Sequence, residues 1–178
     1  MRGPTKEEEQ IKILLAIRRF RYTRVPVITP GCPVSFPPNY WLGTEYLTLP
    51  EYDQYVSGNC MPPIEILPAS VYFPHPVFGS QWGVFATDNI PKDVLIGEYA
   101  CDLLEGRDMV LCKKSDSVMR YSGGGSPKDV FLAPKDFASY VLLVNTCSKE
   151  KCNCISLRLI IDGSVRILLL ASKKIKKG

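Results

Sequence analysis

Apolar residues fall at helical spacing only near the start of the chain. Ile11, Leu14, Leu15 and Ile17 mark one side of a helix over residues 5–21, and Phe20 extends the stripe. Thr5 and Glu8 have the spacing of a capping box. Glu7, Glu8 and Glu9 open the segment and Arg18, Arg19 and Arg21 close it, which suits the helix dipole. Residues 1–24 are therefore expected to form an amphipathic helical appendage, docked on the rest of the chain or on a partner. From residue 77 the pattern changes to short β-type runs: Gly83–Ala86, Val94–Tyr99, Val130–Ala133, Tyr140–Val144, Ile155–Ile161 and Val165–Ala171. Asn89-Ile90-Pro91-Lys92-Asp93 and Asp162-Gly163 read as turns between them, the second as a hairpin. Residues 105–128 are polar, and Gly123-Gly124-Gly125 predicts a loop there. These runs predict a mostly β fold of short strands and irregular loops.

Between them, residues 25–76 hold eleven of the fifteen prolines, interleaved with Phe36, Tyr40, Trp41, Tyr46, Tyr52, Tyr55, Tyr72 and Phe73. Proline fixes the backbone and removes a donor, so long helices are not expected. So many aromatics argue against a disordered linker. An ordered, loop-rich extension that lays aromatic anchors on the domain or a neighbour fits both facts. The prolines show no regular repeat of the kind that Pro-binding grooves recognise.

Composition narrows the class. The 178 residues are 46% hydrophobic, enough for one domain with an appendage. Lys and Arg number 22 against 18 Asp and Glu, a net charge of +4 that permits an acidic partner without requiring one. The arginines of the first helix are few and lack a supporting motif, so direct nucleic-acid binding is not expected of the chain. No apolar run has the length of a membrane span. The first residues resemble neither a secretory signal nor a transit peptide. The seven cysteines are odd in number and lack framework spacing, which suits reduced thiols and an intracellular location. Cys101 lies in an apolar run and reads as a small core residue. Cys147, Cys152 and Cys154 form an incomplete zinc set, and no metal site is expected. His75, the single histidine, lies between two prolines and leaves histidine-dependent triads poorly supported. The triple glycine lacks the Lys-Ser/Thr ending of a phosphate loop.

Two segments carry a more specific signal. One is Trp82-Gly83-Val84-Phe85-Ala86, with Asn89-Ile90-Pro91-Lys92 and Glu98-Tyr99. The other runs from Ser139 through Asn145-Thr146-Cys147 and Cys152-Asn153-Cys154 to Lys174-Ile175-Lys176-Lys177-Gly178. In this order they resemble the SET-domain family of protein-lysine methyltransferases. Met61-Pro62-Pro63-Ile64, Asp116-Ser117-Val118-Met119 and Cys152-Asn153-Cys154 are similar to the divergent histone H3 lysine monomethyltransferase branch. The resemblance covers residues 77–178, just over half of the chain. It implies a SET-like fold, S-adenosylmethionine as cofactor, and transfer of a methyl group to a protein lysine, on a histone tail and hence in the nucleus. It further implies that Trp82, Gly83, Asn145 and Thr146 bind the cofactor and that Tyr99 is catalytic. The family's pattern departs at Gln81 (glycine), Leu142 (arginine) and Thr146 (histidine). The family's next strand, with its central tyrosine, is expected beyond Gly178, so residues 77–178 are expected to lack the C-terminal part of the domain. These departures keep a second expectation open: an inactive SET-fold scaffold that joins a larger complex through residues 1–76.

Overall fold

A computed structural model describes residues 6–17, 21–24, 26–28, 49–57, 61–68, 71, 82–105, 119–121, 130–144, 150–161 and 164–178. Strands hold 48% of the interpretable residues, so the fold is mostly β as the sequence predicts. The elements in chain order are α1 (Lys6–Ile17), β1 (Arg21–Tyr22), β2 (Val27–Ile28), α2 (Leu49–Val56), β3 (Ile64–Pro68), β4 (Trp82–Ala86) and β5 (Leu95–Glu98). They continue with β6 (Cys101–Glu105), β7 (Met119–Tyr121), β8 (Val130–Ala138), a 3₁₀ helix (Tyr140–Leu143), β9 (Cys154–Ile161) and β10 (Ser164–Ala171). They fall into two compact units that share the chain.

The first unit comprises Met1–Thr44, Glu98–Leu142 and Leu157–Leu168. Its sheet runs β1-β8-β6-β2, with β7 also paired to β8. The β6–β8 pair is antiparallel, and its register jumps: Cys101 faces Ala138 while Asp102 faces Ala133. The residues between, Pro134 to Phe137, bulge from the ladder. Pro134 explains the break, because it has no N–H to offer a partner strand. The three N–H groups that follow, of Lys135, Asp136 and Phe137, all donate to Oδ2 of Asp102 at 2.9, 2.8 and 2.9 Å. One buried carboxylate thus meets the donors that the bulge takes from the ladder. Cys101, Leu103, Leu104, Leu132 and Ala133 are fully buried around it, and Cys101 is the core residue its apolar run suggests. Helix α1 buries Ile11 and Leu15, one turn apart, while Ile13 remains 62% exposed.

The second unit comprises Glu45–Gly97, Leu143–Ser156 and Leu169–Gly178. It contains α2, the antiparallel pair β3–β4, and a C-terminal segment tied down by backbone bonds. Ile90 and Ile175 exchange two N–H···O bonds of 2.9 Å, and Gly178 N donates to Ala86 O at 3.0 Å. Asp93, in the turn before β5, takes φ = 67°, the left-handed region that its short polar side chain tolerates. A three-stranded sheet runs β5-β10-β9, and the unit boundary falls within each of these strands.

Several expectations are corrected. The helix expected over 5–21 is described over Lys6–Ile17, and Arg21 falls outside it. Arg21 belongs to β1, whose parallel pairing to Phe137 and Ala138 takes over the backbone, and its guanidinium stacks 4.3 Å over the Phe137 ring. Thr5, Arg18, Arg19 and Phe20 lie outside the described residues. Tyr140–Val144, expected as a strand, is a 3₁₀ helix over Tyr140–Leu143. A short apolar run does not distinguish the two by periodicity, and the i to i+3 bond from Leu142 N to Ser139 O, 3.2 Å, closes the turn. The polar stretch 105–128 contains the three residues of β7, which pair antiparallel with Leu132, Phe131 and Val130. The extension 25–76 contains α2 and β3. Pro50 sits in the first turn of α2, where a missing N–H does no harm, and Tyr52 and Tyr55 bury one face. Strands β9 and β10 are hydrogen-bonded neighbours as expected, although Asp162 and Gly163 between them lie outside the described residues.

Candidate active site

Tyr99 belongs to the first unit and follows directly on β5. It is buried, with 7% of its surface exposed. Its backbone is held from several sides. The N–H of Tyr99 donates to Ile167 O at 2.7 Å. The N–H of Ala100 donates to Glu98 O at 2.8 Å, closing a three-residue γ-turn centred on Tyr99. Among the described non-glycine residues only Asp93 has positive φ, so this is the common inverse form.

Ser139 fastens the turn to the start of the 3₁₀ helix. Its hydroxyl donates to Glu98 O at 2.7 Å and accepts from Ala100 N at 3.2 Å. Its own N–H donates to Ala100 O at 2.8 Å. Ser139 is fully buried, so each of these bonds is made away from water, where leaving one unmade would be expensive. Beneath the turn, the fully buried carboxylate of Glu98 meets the guanidinium of Arg166 on β10 at 3.2 Å. A buried carboxylate is tolerated because this cation is close. Tyr140, also fully buried, lies next to Ser139 in the chain.

Trp82 and Gly83 belong to the second unit, at the first end of β4. Gly83 is buried and faces Leu67, and Trp82 faces Pro68. Pro68 brings no N–H to the ladder. The glycine brings no Cβ to that position of the strand. Asn145 and Thr146, the other expected cofactor residues, lie outside the described residues, as does Cys147. Cys152 and Cys154 are half-buried. Among the described residues no group of three or more His, Cys, Asp or Glu side chains is placed to hold a metal ion.

Of the residues that hold Tyr99, Glu98 and Arg166 stood inside the sequence motifs. The role of Ser139 was not visible, because its partners lie some forty positions away in the chain. Asp102 gave a weak signal, a lone carboxylate in the apolar run after Cys101.

No family model matches the sequence, and no curated protein matches it. Solved structures do. The chain is similar to ATXR5 in complex with mono-methylated histone H3.1, with a TM-score of 0.70 and 19% identity over 97% of this chain and 84% of that one. It is similar also to the ATXR5 SET domain in complex with di-methylated histone H3, with a TM-score of 0.72 and the same identity and coverage. A third similar structure is the Chaetomium thermophilum Polycomb Repressive Complex 2 bound to GSK126, with a TM-score of 0.52 and 15% identity over 69% of this chain and 16% of that one. The chain has the SET-domain fold.

Proposed function

We propose that the chain is a SET-domain protein-lysine methyltransferase that uses S-adenosylmethionine and acts on a histone tail. The observation that carries this reading is the SET fold with its Glu98-Tyr99 turn fixed at every backbone group described above. Two of the similar structures hold histone H3, which favours a histone tail as substrate and the nucleus as the place of action.

The residues present suit the cofactor. Gly83, buried in β4 opposite Leu67, brings backbone without a side chain, and Trp82 beside it offers an aromatic surface. Asn145 and Thr146 complete the proposed cofactor set. S-adenosylmethionine, when bound, supplies a methyl carbon activated by its sulfonium. The protein's task is then alignment. A lysine amine must arrive deprotonated, with its lone pair directed at that carbon, in a site that excludes water. Tyr99 is proposed to orient the amine. Its fixed turn spares the reorganisation that a mobile tyrosine would need.

Calorimetric titration with S-adenosylmethionine and its demethylated product tests the reading first. Binding of both is expected, followed by transfer of labelled methyl to histone H3 peptides. Tyr99→Phe is expected to lower turnover by about 100-fold or more, the scale of one lost transition-state donor, while leaving cofactor affinity unchanged. Gly83→Val is expected to abolish cofactor binding. A folded chain that binds neither ligand overturns the reading. One observation favours the alternative, an inactive scaffold subunit: Leu142, half-buried in the 3₁₀ helix, stands where the resemblance places an arginine. Absence of ligand binding, together with stable incorporation into a larger complex, would decide for it.

A further inference from the structure

The arginines near α1 gave no reason to expect nucleic-acid binding, but lysines from three separate segments of the second unit come together in the fold. The C-terminal segment is the common support. Ile175 is bridged to Ile90 in both directions, which joins the turn 88–93 to it. Asp93 N donates to Ala171 O at 2.8 Å and Ala171 N to Val94 O at 3.0 Å, fixing the other end of that turn. Ser172 N donates to Asn153 O at 2.9 Å, which joins the turn 150–153. Gly178 N donates to Ala86 O at 3.0 Å.

On this support Lys92, Lys151, Lys173, Lys174, Lys176 and Lys177 are all exposed. The acids in the same three segments are Asp88, Asp93 and Glu150. Asp88 already accepts the N–H of Asn89 at 2.7 Å, and Asp93 lies 3.6 Å from Lys92. Lys173, Lys174, Lys176 and Lys177 form a basic strip along a fixed backbone, and only Ile175 between them turns partly inward.

We propose that this surface, formed by the turns 88–93 and 150–153 and the segment 171–178, binds the phosphate backbone of duplex DNA without reading its sequence. Three features select this partner. The cations are lysines, compact point charges that suit phosphate without demanding a fixed fork geometry. A duplex carries one negative charge per about 1.7 Å of its axis, so lysines at unequal spacing each find a phosphate. Among the described residues, the exposed large hydrophobics (Ile13, Val71 and Ile155) all lie outside the three segments, so these segments bring no apolar anchor of the kind on which a peptide partner's affinity usually rests. The backbone beneath is already ordered, so binding pays little for fixing it.

Fluorescence anisotropy with labelled 20-base-pair duplexes of two unrelated sequences tests this, independently of any methyl transfer. Equal affinity for the two is expected. If four phosphates are neutralised, affinity falls about 150-fold between 50 and 200 mM salt. In the double variant Lys174→Gln/Lys176→Gln the same change of salt should lower affinity only about 12-fold, because each lysine contributes about one unit of salt slope. Lys12→Gln, on the exposed side of α1, should behave as the unsubstituted chain. Circular dichroism melts confirm that each variant is folded. No binding at 50 mM salt, or a salt dependence unchanged in the double variant, overturns the proposal. So does competition by polyglutamate as effective as that by duplex of equal charge, which would make the surface a general site for acidic chains.

Discussion

At the scale of single residues, the buried polar groups decide most. Asp102 receives three backbone donors on one oxygen, so Asp102→Ala leaves the whole bulge of β8 without its acceptor. A loss of about 3 kcal/mol is expected, since bonds to a charged acceptor and buried unmade donors each weigh more than an ordinary hydrogen bond. Urea unfolding should show it as a lower midpoint with an unchanged slope. Glu98→Ala removes the buried carboxylate that meets the Arg166 guanidinium, only 15% exposed, and should cost about 3–5 kcal/mol by the same measurement. Glu98→Gln, which keeps an acceptor in place, should cost less. Neither role follows from residue type. A lone acid in an apolar run says that something unusual is buried there, and only the fold says which donors it meets.

At the scale of elements, local pattern succeeded where the chain makes its own structure. Helix α1 and strands β4, β5, β9 and β10 stand where the apolar periodicity put them, within a few residues. It failed where a distant segment decides. Arg21 continues a helical pattern, yet parallel pairing with β8 claims it. Tyr140–Val144 has strand composition, yet the buried attachment of Ser139 bends it into a 3₁₀ helix. Met119–Tyr121 is too short to show any period and exists as a strand because β8 lies beside it. Helix α2 was hidden by the prolines of the extension around it, although its own Pro50, in the first turn, is compatible with a helix. Of the aromatics of this extension, Tyr52 and Tyr55 are described and buried: Tyr55 is 1% exposed, and Tyr55→Ala should cost about 3–5 kcal/mol, read from the denaturation midpoint.

At the scale of the whole molecule, motifs in order carried more than composition did. The segments ending at Tyr99 and beginning at Ser139 resemble a single family, and the structure has that family's fold at 15–19% identity. Composition alone reached only a mostly β domain of modest charge. The site was less legible than the fold, since half of its grip on Tyr99 comes from backbone atoms and a serine, which carry no signature of chemistry. Ligand linkage offers a global test. The demethylated cofactor product at 100 times its dissociation constant should stabilise the folded chain by about 2.7 kcal/mol. For a chain of this length that raises the melting temperature by about 5–10 °C, measurable by scanning calorimetry.

The hydroxyl of Ser139 has one more consequence. It joins two stretches of chain without reaching any surface, so the aim of a tyrosine ring can be adjusted from a place that no ligand touches. Volume changes at Tyr140 or Val141 should register as altered amide chemical shifts at Ala100 while the outer contour of the protein stays the same. Natural variation in the 3₁₀ helix would then shift the Tyr99 turn while every side chain on the surface stays the same.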